Sequence, residues 1–309
     1  MGLCFFYVSQ RTESGWLSLA AIIFVIIILL FMQVNTMKGR HWLALVFLFF
    51  CMAGRPRAAT VDTVSVHSTA MDRDMKSVVI VPEGYHQGAH LPVVYLLHGY
   101  SGDYSDWIKK VPAVAGYADQ YHMIIVCPDG GFAGWYFDSP VKKKSQYESF
   151  ITKELVYWID KHYSTAANKY QRAIMGLSMG GHGALYLAIE HQDLFGAAGS
   201  MSGAVDITGL SNAFGIDQLL GPYSKYPKRW QEHSVLYLTH KLVNDSLKII
   251  IDCGADDFLY QQNLALHKKL LYDKIDHDFI TRPGAHTWEY WANSVQFELL
   301  FMHHFFSAF

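Results

Sequence analysis

The chain has 309 residues, 51% of them hydrophobic, and a formal net charge of −2 at neutral pH. A chain of this length and apolar content can bury one large core. Five basic residues and one acid lie within residues 1–59, so the rest of the chain carries a formal charge of −6. That excess of acids disfavours nucleic acids and other polyanions as partners.

The first hydrophobic run covers residues 16–32, which are 17 uncharged residues. This length is at the short end of what spans a membrane. Residues 1–36 are therefore either a membrane anchor or an upstream extension from a misassigned start. A buried core helix is a poor alternative, because the run is apolar on every side.

The second hydrophobic run has the composition of a secretory signal. Lys38 and Arg40 precede an apolar run over residues 42–53, and small or polar residues follow up to residue 59. A basic segment, a short apolar run and small residues are the parts of such a signal, which here starts at Met37. We therefore expect residues 1–59 to be a leader. We also expect export to the periplasm or the cell exterior, with or without a membrane tether.

The globular part, residues 60–309, alternates between strand-like and helix-like patterns. Residues 61–68 and 76–82 alternate in polarity and predict an opening hairpin. Later strands are predicted from Leu91 to Leu97 and over residues 123–126, 172–175, 196–201, 247–252 and 278–281, with helices such as residues 150–162 and 263–272 between them. This order predicts an α/β protein with a doubly wound, mostly parallel sheet and helices on both faces.

Residues 205–246 are the least regular stretch of the globular part. They contain Gly221-Pro222-Tyr223 and few strand-like runs. Such a segment predicts either a small cap over a site or a plain surface excursion.

The pentapeptide Gly176-Leu177-Ser178-Met179-Gly180 follows a strand-like run and precedes a helix-like run at residues 184–190. A G-x-S-x-G pattern in this setting holds a serine on a sharp turn, where residues two before and two after it need almost no side chain. The pattern alone also arises in glycine-rich turns. Between a strand and a helix it predicts Ser178 as a nucleophile that a neighbouring base activates.

The partners of such a serine follow it in the order acid, then histidine. The last two predicted strands lead to Asp256 and Asp257 and to His286. Side chains just past the carboxyl ends of parallel strands meet at one edge of the sheet. We therefore expect His286 as the base and one of these aspartates as the acid, with Asp252 the next alternative. His182 is expected to pack near the site.

Two backbone N–H groups must also face the charge that develops on the reacting carbonyl oxygen. Met179, which follows the serine, supplies one of them. The run from Leu91 ends in His98-Gly99, a turn at which the backbone approaches closely, and Tyr100 is our candidate for the second donor.

With these motifs the chain resembles the esterase D-like family of α/β-hydrolases. That family includes S-formylglutathione hydrolases, feruloyl and acetyl-xylan esterases, small-acyl esterases and the mycolyltransferase antigens. The matching blocks are residues 92–102 with Trp107, 126–130, 176–184, 252–258 and 283–291. The resemblance implies the α/β-hydrolase fold and identifies Asp257, rather than Asp256, as the acid. The chain departs from the family at Ala285, where relatives often have glycine.

Aromatic residues flank the predicted chemistry. Trp135 follows a strand end, and Trp288 follows His286, so we expect these two to border the substrate; Trp107 is a weaker candidate. Asp138, before Ser139-Pro140, is expected in a turn or as a helix cap.

Neither the cysteines nor the spacing of potential metal ligands indicates a disulfide or a metal site. Cys127 and Cys253 end two predicted strands that are not neighbours, so we expect two buried thiols and no disulfide. No spacing typical of a metal site is present in the sequence, and we expect neither a metal nor another cofactor.

These patterns predict a serine carboxylesterase that acts through an acyl-enzyme on a small-molecule or polysaccharide ester, with acetyl or feruloyl esters of polysaccharides as first choice. An S-formylglutathione hydrolase-type thioesterase is one alternative, but its substrate is cytosolic and the leader counts against it. Acyl transfer of the mycolyltransferase type, with an alcohol in place of water, is a second. A binding protein that retains the fold is disfavoured by the complete set of Ser, Asp and His.

Overall fold

The computed structural model describes residues 58–210 and 213–309. The predicted leader, with its anchor and its signal, lies outside these residues. Within them, no helix combines the length and the apolarity needed to cross a bilayer.

Eight strands form one sheet in the order β1-β2-β4-β3-β5-β6-β7-β8. They are β1 (Thr60–Ser68), β2 (Arg73–Val81), β3 (Val93–Leu97), β4 (Ile124–Pro128), β5 (Arg172–Leu177), β6 (Ala197–Met201), β7 (Lys248–Gly254) and β8 (Asp278–Arg282). β2 runs antiparallel to β1 and to β4, and the other neighbours are parallel. The predicted opening hairpin and mostly parallel sheet are confirmed.

Helices connect the strands on both sides of the sheet. They are α1 (Asp106–Lys110), α2 (Ala113–Tyr121), α3 (Tyr147–Ser149), α4 (Val156–His162), α5 (Met179–Glu190), α6 (Ile216–Leu220), α7 (Pro227–Glu232), α8 (Val235–Leu238), α9 (Tyr260–Tyr272) and α10 (Trp288–Ser307). A π-helical turn, Phe150–Leu155, joins α3 to α4, and 3₁₀ turns lie at Lys169–Gln171, Ile207–Leu210 and Thr239–Lys241.

The core consists of two layers, one on each face of the sheet. Along β3, Val93, Tyr95 and Leu97 belong to one layer, whereas Val94 and Leu96 belong to the other. α5 and α9 cover the first face, and α2 and α10 cover the second. Strands covered on both faces read as continuous apolar runs, which is why β3 to β7 could be predicted from the sequence.

Two helices begin earlier than the sequence pattern predicts. α5 begins at Met179 rather than at residue 184, because its glycines pack against neighbouring chain and do not break the helix. The helix predicted over residues 150–162 begins three residues earlier, as α3. There Asp138 accepts hydrogen bonds from the Ser149 N–H and hydroxyl at 3.0 and 2.6 Å, so Asp138 serves as a cap.

Both described cysteines are buried thiols. Cys127 lies in β4 and Cys253 in β7, with β3, β5 and β6 between them. The expectation of two separate buried thiols is confirmed.

Candidate active site

Ser178 lies on a tight turn between β5 and α5. Its φ of 53° is in a region that non-glycine residues rarely adopt, as expected at a strained functional turn. A Cβ added at Gly176 would lie 2.7 Å from the Gly180 backbone, and one at Gly180 would lie 2.5 Å from the His98 carbonyl oxygen. The two glycines of the pentapeptide are therefore required by close backbone approach.

The structure brings Ser178, His286 and Asp257 into one chain of hydrogen bonds. His286 Nε2 lies 2.9 Å from Ser178 Oγ, and His286 Nδ1 lies 2.8 Å from Asp257 Oδ2 and 3.1 Å from Asp257 Oδ1. The carboxylate accepts the Nδ1 proton, which leaves Nε2 free to accept the serine proton. Three strand ends, of β5, β7 and β8, position these three side chains.

Asp257 is ionised at neutral pH by its surroundings. Burial raises the pKa of its carboxyl, but hydrogen bonds from His286 and from the Leu259 N–H outweigh burial, so that the pKa lies below its usual range. A buried carboxylate at this place stabilises a positive charge on His286.

The two other aspartates considered from the sequence lie elsewhere. Asp256 is exposed. Asp252 is fully buried, 2.5 Å from Arg282 Nη2, and accepts a hydrogen bond from the Tyr290 hydroxyl. Among the three, Asp257 is the one that reaches the histidine.

The segments that contain the two predicted backbone donors lie next to Ser178. Met179 is the first residue of α5, so its N–H has no partner within the helix. The turn that contains Tyr100 packs directly on the serine turn, since a Cβ added at Gly99 would lie 3.5 Å from Ser178 Cβ. Both amides therefore belong to segments that border Ser178.

A cavity of about 530 Å³ opens above Ser178 and His286. One part of its wall is apolar and aromatic, with Tyr100, Trp135, Leu210 and Phe214. The part beyond His286 carries Trp288 together with the charged side chains of Asp106, Lys110 and Glu289. A cavity of this size accommodates an acyl group much larger than acetyl.

Both predicted tryptophans line this cavity, in different ways. Trp135 is almost fully buried and donates its indole N–H to the Phe214 carbonyl oxygen at 3.0 Å. Trp288 is half-buried, packs edge-to-face on Trp107 with ring centroids 5.3 Å apart, and has Lys110 Nζ 4.5 Å above its ring. Trp107 itself is buried in the core behind Trp288.

Three cavity residues were not found from the sequence. Phe258 follows Asp257 directly, and its ring lies 4.7 Å from that of His286; its position beside the acid was the available signal. Leu210 and Phe214 come from the irregular stretch at residues 205–246, which folds as short helices and 3₁₀ turns. No motif marks them, because a long-range contact brings them to the cavity.

His182 packs near the site, as expected. It is fully buried, its Nε2 lies 2.7 Å from the His233 carbonyl oxygen, and burial lowers its pKa to about 4. Its ring meets that of Trp135 edge-to-face at 5.4 Å, so it supports the cavity wall from behind. Over the described residues, no three Cys, His, Asp or Glu side chains are grouped as a metal site would need.

Comparison with known proteins places this chain in a family. The family model described as "Putative esterase" matches residues 68–302. Diacylglycerol acyltransferase/mycolyltransferase Ag85A of Mycobacterium tuberculosis (strain H37Rv) is 29% identical over 273 residues, which cover 75% of this chain and 77% of that protein. An acetyl esterase of Caldicellulosiruptor saccharolyticus is 27% identical over 227 residues, 67% of this chain and 81% of that one.

Among solved structures, a ferulic acid esterase superimposes with a TM-score of 0.69 at 28% identity, over 81% of this chain and all of that chain. The fold, the family match and these relatives agree with the resemblance drawn from the sequence motifs. The chain belongs to this esterase family, and it is a carboxylic ester hydrolase with the α/β-hydrolase fold.

Proposed function

We propose that the protein is a serine esterase in which Ser178, His286 and Asp257 form the catalytic triad. Ser178 attacks the ester carbonyl, and His286 takes the serine proton and returns it to the leaving alcohol. Asp257 orients His286 and stabilises its cation. The N–H groups of Tyr100 and Met179 stabilise the oxyanion. Water, activated by His286, then releases the acid from the acyl-enzyme.

The observation that carries this proposal is the continuous contact from Asp257 through His286 to Ser178, at 2.8 and 2.9 Å, at the floor of the cavity. Nucleophile, base and orienting acid within hydrogen-bond reach are the geometric requirement for an activated serine. The lowered pKa of Asp257 supports the same roles, because an ionised carboxylate accepts the Nδ1 proton and its charge stabilises the imidazolium.

As substrates we propose feruloyl or acetyl esters of polysaccharides. The aromatic wall made by Tyr100, Trp135 and Phe214 suits a planar phenolic acyl group, and the cavity volume exceeds what acetyl needs. Relatives named as a ferulic acid esterase and an acetyl esterase support these two acyl groups. Polymeric substrates accord with the proposed export through residues 1–59, and residues 205–246 act as a small cap that completes the cavity.

Acyl transfer is the second candidate function. One relative is named as a diacylglycerol acyltransferase and mycolyltransferase, and it covers three quarters of this chain. In that reaction an alcohol takes the place of water at the acyl-enzyme, with the same roles for Ser178 and His286. Hydrolysis of S-formylglutathione, the thioester alternative, needs a cytosolic enzyme and conflicts with export.

The test is to assay the full chain against methyl ferulate, acetylated xylan and S-formylglutathione, with and without an added sugar whose hydroxyl groups can accept the acyl group. We expect turnover of at least one oxygen ester, and a loss of several orders of magnitude in Ser178→Ala. Labelling of Ser178 by a fluorophosphonate should disappear in the same variant. Turnover of S-formylglutathione alone would identify the protein as a thioesterase. An acylated sugar as the main product would identify it as an acyltransferase. Near-parental hydrolysis by Ser178→Ala would contradict the triad.

A further inference from the structure

A buried histidine, His98, lies at the end of β3 and contacts two backbone groups with its two ring nitrogens. Its Nδ1 is 2.8 Å from the Gly99 carbonyl oxygen, and its Nε2 is 2.8 Å from the Gly130 backbone nitrogen. The residue is fully buried. The triad as proposed does not use this ring.

The two contacts determine where the imidazole proton resides. A backbone N–H can only donate, so Gly130 donates to Nε2, and Nε2 carries no proton. The single proton of the neutral ring is therefore on Nδ1, from which it is donated to the Gly99 carbonyl oxygen. Asp129 Oδ1, at 3.7 Å from Nε2, is too far away for a hydrogen bond.

The Gly99 carbonyl belongs to the same peptide group as the Tyr100 N–H. A trans peptide is planar, so its C=O and N–H point in opposite directions, and the described residues contain no cis peptide. Holding the carbonyl oxygen toward His98 therefore turns the Tyr100 N–H to the other side. If this peptide flipped, it would present an oxygen where the proposed oxyanion forms.

Hydrogen bonds from neighbouring side chains hold the backbone of Leu97 and His98 in place. The Gly99–Tyr100 peptide is therefore the part whose orientation depends on the His98 ring. The Tyr136 hydroxyl donates to the His98 carbonyl oxygen at 3.0 Å, and the Trp107 indole donates to the Leu97 carbonyl oxygen at 3.1 Å. The Gly102 N–H adds a second, longer bond of 3.2 Å to the Gly99 oxygen. Glycine at position 99 has no side chain to resist rotation of the peptide, so its orientation depends on these donors.

We propose that His98 is a positioning residue for the oxyanion hole: its Nδ1–H sets the orientation of the Gly99–Tyr100 peptide. This inference rests on the proposed function, because it assumes that the Tyr100 N–H meets the oxyanion. If His98 only linked two loops, its replacement would lower the stability of the protein. It would not change how much more tightly the enzyme binds the transition state than the substrate.

Two substitutions separate the contacts of the two nitrogens. In His98→Gln, the side-chain oxygen can reach the Nε2 position and accept from Gly130, but the Gly99 oxygen loses its short bond to the ring and keeps only the longer one from the Gly102 N–H. In His98→Asn, the side-chain NH₂ lies near the Nδ1 position and can donate to Gly99, but Gly130 loses its acceptor. A matched control is His86→Gln, since exposed His86 makes the same Nδ1 contact, at 2.9 Å, to the carbonyl of its next residue.

The experiment measures kcat and KM for a simple ester, affinity for a trifluoromethyl ketone that forms a tetrahedral adduct, and Tm. For His98→Gln we expect kcat to fall by roughly 10²-fold with little change in KM, and the affinity for the ketone to fall by a similar factor. This decrease is close to that caused by removing one hydrogen-bond donor of an oxyanion hole. His98→Asn should recover most of kcat even if its Tm is lower, and His86→Gln should match the parent.

Equal losses of kcat in both His98 variants, or a lower Tm with unchanged kcat and adduct affinity in His98→Gln, would overturn the inference. Failure of the proposed function looks different. In that case the parent would hydrolyse no ester and would not be labelled at Ser178.

Discussion

Asp256 and Asp257 are adjacent in the chain but meet opposite environments. Asp257 is 5% exposed and contacts His286, whereas the Asp256 side chain is exposed. The Asp256 backbone N–H donates to the Gly284 carbonyl oxygen at 2.9 Å, so Asp256 contributes to the histidine loop through its main chain alone. The sequence places both residues past the end of β7, and only the turn geometry distinguishes them.

We therefore expect Asp257→Asn to lower kcat by about 10⁴-fold, the loss found for the same change in another Ser-His-Asp enzyme. An amide at this place can donate to His286 Nδ1 and so favours the tautomer that has its proton toward the serine. Asp256→Asn is the matched control and should change kcat by less than about threefold, because its backbone contact remains. Ester kinetics of both variants at constant pH provide the check. The reverse ranking would assign the acid to Asp256.

At the scale of elements, the first turns of α5 contain glycines, although glycine has a low helix propensity. Gly180, Gly181 and Gly183 lie in its first turns, and each faces close neighbours. A Cβ at Gly183 would lie 2.5 Å from the ring of Tyr136, which is fully buried and holds the His98 carbonyl. These glycines let the helix approach the loop that carries the proposed oxyanion donor.

This close packing predicts opposite effects of one substitution at two helical glycines. Gly183→Ala gains up to about 1 kcal/mol of helix propensity but forces Tyr136 to move, at a cost of about 1–3 kcal/mol, so we expect net destabilisation. Gly116→Ala, in α2, meets no atom within 4 Å and should stabilise the protein by up to about 1 kcal/mol. Urea unfolding of both variants tests this pair, and stabilisation by Gly183→Ala would show that Tyr136 is not held in place.

The same packing explains which elements the sequence could predict. Strands such as β3, β5 and β7 are buried on both faces, so continuous apolar residues mark them locally. The sequence pattern predicts the start of α5 five residues late, because glycine is typical of a turn unless its packing neighbours are known. Phe214 reaches the cavity through contacts with Tyr100 and Trp135, far away in sequence, and no local pattern encodes such a contact.

At the scale of the whole molecule, the second core layer encloses a carboxyl group without an ionic partner. Glu298, in α10, is fully buried, and within the described part of the chain neither of its carboxyl oxygens has a hydrogen-bond partner. Burial, with a smaller contribution from Asp252, raises its pKa far above the usual range. Arg282 lowers the pKa of Glu298 only slightly, and its guanidinium is already bound to Asp252 and Ser294. Its surroundings therefore favour the protonated form of Glu298 in the folded protein.

The raised pKa gives the parent a pH dependence of stability that Glu298→Gln should remove. Unfolded Glu298 loses its proton near pH 4.3, whereas the folded protein retains it to higher pH, so rising pH favours unfolding of the parent. Glutamine has nearly the same shape and does not titrate, so any packing penalty of the variant is independent of pH. The free energy of unfolding of Glu298→Gln, relative to the parent, should therefore rise by up to about 1.4 kcal/mol per pH unit above pH 5.

Urea unfolding at pH 5, 6, 7 and 8 measures this slope, and Glu289→Gln is its control. Glu289 lies at the exposed start of the same helix, where hydrogen bonds to the backbone and to Thr287 hold its pKa below the usual range. A carboxyl with a lowered pKa loses its contribution only as the pH falls below that range, so this control should give a flat difference between pH 5 and 8. A flat difference for Glu298→Gln as well would mean that Glu298 is ionised in the folded protein. An ionised Glu298 would then need a partner for its charge among the residues packed around α10. Arg282 is not that partner, because it is already bound to Asp252 and Ser294.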